Sequence, residues 1–129
     1  MKSPLILLFT RDGEFAQSVR EAVSGTGVIV LVAREVRDGL QIVCQRGREL
    51  DFALMDFDAG CRGMTLLSAV HTCYEQLPIV VTTSENAEQA SCLACANGAQ
   101  TCLQKPLSAA GFAKVIADVT AVHHQPVAA

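Results

Sequence analysis

Five short apolar runs divide the chain, and longer stretches with a different periodicity separate them. The runs cover residues 5–9, 28–32, 52–56, 78–82 and 101–103. They are continuously apolar instead of alternating with polar residues, a pattern typical of strands that are covered on both faces. We therefore expect five short strands inside the fold.

The stretches between these runs have the periodicity of amphipathic helices. Apolar residues recur three or four positions apart in segments 15–23, 36–44, 66–74 and 112–119. An Ala-rich segment, 86–96, ends before Asn97-Gly98, a pair typical of helix termini. Strands that alternate with helices require right-handed crossovers, which produce a parallel sheet with helices on both faces. The pattern predicts an α/β protein with a (βα)5 doubly wound parallel sheet.

Composition and charge are those of one globular domain. Of 129 residues, 50% are hydrophobic and 18% are charged, and the net charge of -3 includes no run of one sign. This distribution disfavours direct binding of nucleic acid, and every apolar run is far shorter than the roughly 18 residues that cross a membrane. We expect a cytoplasmic domain over residues 1–122, followed by a tail or the start of a linker at 123–129.

Six cysteines raise the question of disulfides or a metal site. Five of them, Cys44, Cys73, Cys92, Cys95 and Cys102, lie in apolar periodic segments, where a reduced thiol behaves as a small hydrophobic side chain. We therefore predict reduced cysteines at core-facing positions. The CxxC at 92–95 has neither the second ligand pair of a zinc site nor the strand-to-helix turn of a redox motif.

Polar residues follow the carboxyl ends of the predicted strands, which is where parallel sheets of this type bind their ligands. Asp56 ends the third strand, Thr83 follows the fourth and Lys105 follows the fifth. A carboxylate at this edge can act as a nucleophile or a metal ligand, while a hydroxyl and an ammonium group can bind phosphate oxygens. Together the three residues suggest a carboxylate that accepts a phosphoryl group.

Four segments resemble the receiver domains of response regulators. They are residues 51–56 (DFALMD), 78–84 (PIVVTTS), 97–99 (NGA) and 103–107 (LQKPL), in the order and spacing of that family. The resemblance implies that Asp56 is the phospho-acceptor, Thr83 the switch hydroxyl and Lys105 the phosphate-contacting lysine. With the crossover rule it also implies a flavodoxin-like sheet in the strand order 2-1-3-4-5. A cis peptide bond before Pro106 is a further expectation from the family.

The chain departs from the receiver pattern at the end of the first strand. Receivers usually carry two adjacent acidic residues there, which hold Mg²⁺, whereas this chain has Thr10 and Arg11. An arginine brings a fixed positive charge that repels the ion. If Mg²⁺ binds, Asp12 and Asp56 would be its ligands. Our expectation is that Arg11 replaces the metal by pairing with the Asp56 carboxylate, since a carboxylate in a cleft needs a partner.

The resemblance and the departure together predict an atypical receiver of a two-component phosphorelay. Phosphorylation at Asp56 with Mg²⁺ would be weak or absent, and the domain would act through protein contacts. It would not be an enzyme, beyond slow self-phosphorylation and autodephosphorylation.

Several partners follow from the same resemblance. They are a sensor histidine kinase or a phosphotransfer protein, and a downstream output domain or protein. A homodimer through the surface of the fourth helix, fifth strand and fifth helix is a further option. Two alternatives stay open: a conventional phospho-accepting receiver that tolerates the altered pocket, and a flavodoxin-like cofactor-binding module.

Overall fold

A computed structural model describes residues 3–58, 62–84, 94–105 and 107–123 of the chain. Strands and helices alternate along it. The strands are β1 (Leu5–Phe9), β2 (Ile29–Ala33), β3 (Phe52–Asp56), β4 (Ile79–Thr83) and β5 (Thr101–Gln104). The helices are α1 (Gly13–Ala22), α2 (Val36–Arg46), α3 (Arg62–Cys73) and a C-terminal helix (Ala109–His123). Residues 94–96 are also helical, within the predicted Ala-rich segment.

The five strands form one parallel sheet in the order β2-β1-β3-β4-β5, so the predicted fold class and strand order are confirmed. Three strands differ from their predicted bounds by one residue, and the fifth ends at Gln104 instead of Leu103. The fourth strand begins at Ile79 instead of Pro78, because proline has no N–H to donate to a neighbouring strand. The carbonyl of Pro78 still accepts a hydrogen bond from the Ala53 N–H. The second strand is also displaced by one residue and begins at Ile29.

Two hydrophobic layers cover the sheet. On one face, residues of α2 and α3 such as Val43 and Leu66 pack on side chains of the central strands such as Leu7. On the other face, α1 and the C-terminal helix contribute Phe15 and Phe112. The continuous apolar runs of β1, β3 and β4 are fully buried between these layers, as the sequence pattern predicts.

The outer strands are less buried than the sequence pattern suggests. The residues of β5 are half-buried or exposed, and Ile29 of β2 keeps 50% of its surface exposed. An edge strand has a neighbour on one side only, so a continuous apolar run does not guarantee burial at the edge of a sheet.

The prediction that the cysteines face the core is wrong for most of those that the structure describes. Cys44, Cys73 and Cys95 are exposed, and Cys102 is half-buried. Cys44, Cys73 and Cys102 carry free thiols, as expected. The pKa of the Cys102 thiol is raised, mainly by burial and to a smaller extent by the nearby Cys95 thiol. Cys44 follows the buried Val43 in α2, and Cys73 lies three residues after the buried Val70 in α3, so both thiols lie beside the buried positions of their helices. Cys61 and Cys92 lie outside the described residues.

The helical residues 94–96 end at Asn97-Gly98, as the sequence predicts. Gly98 has a φ of +110°, a conformation that side chains with a Cβ rarely adopt. The turn is closed by the N–H of Ala99, which donates to the Ala94 carbonyl. This turn directs the chain into β5, which ends immediately before Lys105.

No helix among the described residues is long and apolar enough to cross a membrane. The C-terminal helix continues to His123, one residue into the segment expected to be a tail. Residues 124–129 lie outside the described part of the chain, so the domain boundary remains a prediction.

Substitution of Gly98 by alanine should destabilise the fold. The new Cβ would require an unfavourable positive φ and would overlap the imidazole of His71. We expect a loss of about 2 kcal/mol in the free energy of unfolding, measured by urea denaturation.

Gly13→Ala is the matched control for this substitution. Its Cβ would meet nothing within 4 Å, so its effect should stay within about 0.5 kcal/mol. A combined Gly98→Ala and His71→Ala variant separates backbone strain from steric overlap. Equal stabilities of Gly98→Ala and Gly13→Ala would contradict the argument.

Candidate functional site

The carboxyl ends of four strands meet at one edge of the sheet and bring the candidate residues together. Thr10 follows β1, Asp56 ends β3, Thr83 ends β4 and Lys105 follows β5. The parallel register places Asp56 opposite Thr82 on the neighbouring strand. The polar cluster therefore follows directly from the strand order and register, as the sequence analysis expects.

Asp56 is almost completely buried, with 1% of its surface exposed. One carboxylate oxygen, Oδ2, accepts a hydrogen bond from the Thr10 hydroxyl at 2.6 Å. The other, Oδ1, accepts from the Lys105 ammonium at 3.0 Å and from the Asp58 N–H at 2.9 Å. A buried carboxylate is tolerated only when such partners replace its lost hydration. Both oxygens of Asp56 are therefore held by donors from the chain itself.

The Thr10 hydroxyl has a defined orientation. The N–H of Asp12 donates to Thr10 Oγ1 at 3.1 Å, so this oxygen acts as an acceptor on that side. Its single proton is then directed to Asp56, because an ionised carboxylate can only accept. The 2.6 Å separation from Asp56 is typical of a charge-assisted hydrogen bond.

Lys105 is shared by two carboxylates. Its Nζ lies 3.0 Å from Asp56 Oδ1 and 3.0 Å from Asp58 Oδ2, and 4.1 Å from the centre of the Phe15 ring. Only 13% of its side chain is exposed. Burial by itself would lower the pKa of Lys105, but the hydrogen bonds to Asp56 and Asp58 outweigh it and raise that pKa above its ordinary value. The lysine is thus held in its charged form.

Asp58 belongs to the site, although the sequence pattern predicts no role for it. It accepts hydrogen bonds from the Thr83 hydroxyl at 3.2 Å and from the Ser84 N–H at 3.0 and 3.1 Å. Partial burial would raise the pKa of Asp58, but the Ser84 N–H and the Lys105 ammonium outweigh this effect and lower it. The sequence feature that could have identified Asp58 is its place two residues after Asp56, in the loop at the same edge of the sheet.

The predicted pair between Arg11 and Asp56 is wrong. Arg11 Nη2 lies 3.0 Å from Glu35 Oε1, in a surface ion pair whose side chains are 46% and 41% exposed. Asp56 has already obtained its partners from Thr10, Lys105 and a backbone N–H. A guanidinium group remains hydrated at the surface at lower cost than in a cleft that already holds an ammonium group.

Asp12 is engaged in capping α1 instead of facing Asp56. Its Oδ1 accepts from the N–H groups of Glu14 and Phe15 at 3.0 and 3.3 Å. The Asp12 carboxylate therefore occupies N–H groups at the N-terminus of α1. A flavodoxin-like cofactor module would need these groups to bind a phosphate group. The arrangement therefore disfavours the cofactor-binding alternative.

The residues that follow β1 offer Mg²⁺ few of the oxygen ligands that it prefers. The ion prefers octahedral oxygen coordination, but the residues after β1 offer a hydroxyl and a guanidinium group, and the Asp12 carboxylate is used in capping. Within the described residues, no group of three His, Cys, Asp or Glu side chains could hold a metal ion.

The predicted cis bond before Pro106 lies outside the described residues.

Removal of the Lys105 charge should destabilise the protein through Asp56. In Lys105→Met, the buried carboxylate loses its cation, and we expect a loss of about 3 kcal/mol in the free energy of unfolding at neutral pH. The same substitution in an Asp56→Asn background should cost clearly less. Chemical denaturation of the four proteins measures the coupling, and equal losses in both backgrounds would show that packing, not charge, explains the effect.

The stability of the protein should depend on the charge of Asp58. Its pKa is lower in the folded chain than the ordinary value of 3.8, so its contribution is present above that value and disappears as the pH falls through the lowered pKa. The stability difference between the wild type and Asp58→Asn should therefore shrink on acidification. Denaturation from pH 7 downward measures it, with Asp118→Asn, an exposed change on the C-terminal helix, as the control. A difference that does not change with pH would refute this role.

Comparisons with known proteins identify the family. The model of the response regulator receiver domain matches residues 6–117. The fold is similar to a signal receiver domain of an HD domain-containing protein from Pseudomonas fluorescens Pf-5, at 21% identity and a TM-score of 0.85, covering 96% of this chain and 91% of that one. A CheY-like receiver domain protein from Methanospirillum hungatei JF-1 is similar at 18% identity and a TM-score of 0.84, covering 96% and 98%.

A receiver domain protein from Clostridium thermocellum has 21% identity and a TM-score of 0.82, with coverage of 91% and 94%. No curated protein sequence matches the chain significantly. The family match spans most of the sequence, and the strand order is the one expected for a receiver fold. The chain therefore belongs to the response regulator receiver domain family.

Proposed function

We propose that this chain is an atypical receiver of a two-component phosphorelay, with weak or no Mg²⁺-dependent phosphorylation at Asp56. It passes on its signal through protein contacts. Receiver domains are signalling domains that interact with histidine kinases or output domains, and this chain would act in the same way. Slow self-phosphorylation and autodephosphorylation are the only chemistry that we assign to it.

The hydrogen bond from Thr10 to Asp56 carries this proposal. In the acceptor reaction, a carboxylate oxygen must attack the phosphodonor, and here both oxygens are engaged by donors. A hydrogen bond to a charged group contributes about 1.5–3 kcal/mol, and each 1.4 kcal/mol added to the barrier slows a reaction about tenfold. The Thr10 hydroxyl also lies after the first strand, where receivers usually carry an acidic residue that attracts a metal ion.

One observation favours the alternative of a conventional receiver that tolerates the altered pocket. Because Arg11 pairs with Glu35, its guanidinium group does not cover the Asp56 carboxylate. Asp56 and Lys105 also remain in direct contact. Under this alternative, Mg²⁺ would displace the Thr10 hydroxyl and recruit Asp12 from its capping position, so phosphorylation of the wild type would respond strongly to the ion.

The partners remain part of the proposal. A histidine kinase or a phosphotransfer protein would approach the edge of the sheet that holds Asp56. The homodimer surface of the fourth helix, fifth strand and fifth helix includes residues 85–93, which lie outside the described part of the chain. It stays a prediction, to be checked by sedimentation of the purified protein.

Phosphorylation by a small phosphodonor tests the proposal. The wild type, incubated with Mg²⁺, should gain little or no phosphoryl mass, whereas a Thr10→Asp and Arg11→Asp double variant should gain it at least about tenfold faster, since removal of one hydrogen bond of this strength has that effect. Intact-protein mass spectrometry measures the yield, and Asp56→Asn supplies the blank. A wild type that is phosphorylated as fast as the double variant would establish the conventional alternative.

The two single variants locate the cause. Arg11→Asp alone should change little, because Arg11 is already paired at the surface with Glu35. Thr10→Asp alone should give most of the gain in rate, because residue 10 contacts Asp56 directly. The opposite ranking would mean that the charge of Arg11 controls the pocket from a distance.

A further inference from the structure

Three donors from two strand ends converge on the Asp58 carboxylate. The Thr83 hydroxyl and the Ser84 N–H come from the end of β4, at 3.2 and 3.0 Å. The Lys105 ammonium comes from the end of β5, at 3.0 Å from Asp58 Oδ2. Hydrogen bonds from these donors reach both oxygens of Asp58, although the side chain is 25% exposed and could be hydrated instead.

Two of these donors, the Thr83 hydroxyl and the Lys105 ammonium, are the groups that we expect to bind a phosphoryl group on Asp56. The sequence predicts that Thr83 and Lys105 converge on Asp56 and bind phosphate oxygens. In the structure, the Thr83 hydroxyl is bonded to Asp58, and Lys105 divides its contacts between Asp58 and Asp56. Asp58 thus binds the donors that an oxyanion attached to Asp56 would need.

Carboxylate and phosphoryl groups share the relevant chemistry. Both present charged oxygens that only accept hydrogen bonds, and both are bound by hydroxyl, ammonium and backbone N–H groups. Asp58 is also fixed next to Asp56, because its own N–H donates to Asp56 Oδ1 at 2.9 Å. A phosphoryl group on Asp56 would bring close to two further negative charges beside Asp58 and compete with it for the same donors.

We propose that the Asp58 carboxylate is a built-in oxyanion ligand that takes the place of a phosphoryl group on Asp56. In the unphosphorylated chain it holds Thr83, Ser84 and Lys105 in their anion-bound arrangement. This inference rests on the proposed function, since a phosphoryl group that formed readily would displace Asp58. The donors that would bind an oxyanion are in place, and the Asp58 side chain occupies them.

Titration with inorganic phosphate tests this inference on the whole chain without any phosphodonor. The amide signals of Thr83 and Ser84 are followed by NMR in the wild type and in Asp58→Asn. Asp58→Asn keeps the shape of the side chain but removes its charge, so phosphate should shift these signals saturably, with an affinity at least tenfold higher than in the wild type. A response of the wild type equal to that of Asp58→Asn would overturn the inference, whether both proteins bind phosphate or neither does.

Two further variants serve as controls. Thr82→Val changes the preceding residue of β4, whose hydroxyl is buried and has no hydrogen-bond partner in the part of the chain that the structure describes. It should behave like the wild type, whereas Thr83→Val with Asp58→Asn should lose part of the gained affinity. If Asp58→Asn does not fold, Asp58→Ser removes the same charge. Fast Mg²⁺-dependent phosphorylation of the wild type would count against the proposed function alone, because the phosphate titration is read without it.

Discussion

The ammonium group of Lys105 is the interaction on which the site depends. It neutralises Asp56, which is buried inside the sheet edge, and it simultaneously holds Asp58 from the following loop. Without a cation, the two neighbouring carboxylates would repel each other, and nothing would offset the cost of burying the Asp56 charge. The ring of Phe15 lies under the ammonium and excludes water from one side. One lysine therefore connects the ends of β3 and β5 with helix α1.

The sheet supplies the geometry for this interaction, and the architecture of the sheet could be predicted from the sequence. Continuous apolar runs of three to five residues, separated by helical periods, leave little choice of architecture, because right-handed crossovers restrict the topology. Asp56 and Thr83 could be placed at one edge for the same reason: Asp56 ends one apolar run, and Thr83 directly follows another. These inferences rest on periodicity and chain connectivity, which are properties of the sequence itself.

The partners of individual side chains could not be predicted in this way. Arg11 and Asp12 both follow β1, but neither binds the buried Asp56. Arg11 forms an ion pair with Glu35, and Asp12 caps the N-terminus of α1. Competition between hydration, helix capping and ion pairing is decided by a few kcal/mol and by rotamers that the sequence does not reveal. Asp58 was missed for a related reason, since a loop carboxylate looks like a hydrated surface charge until the donors around it are known.

The position of the second carboxylate determines what the pocket can bind. Family members are expected to place acidic residues after the first strand, on the side of the phospho-acceptor where a cation would be bound. In this chain a hydroxyl occupies that side, and the second carboxylate contacting Lys105 comes from the loop after β3. There it faces the hydroxyl, amide and ammonium donors that attract anions. The pocket thus still pairs two carboxylates with one lysine, and the second carboxylate contacts hydroxyl, amide and ammonium donors at the ends of β4 and β5.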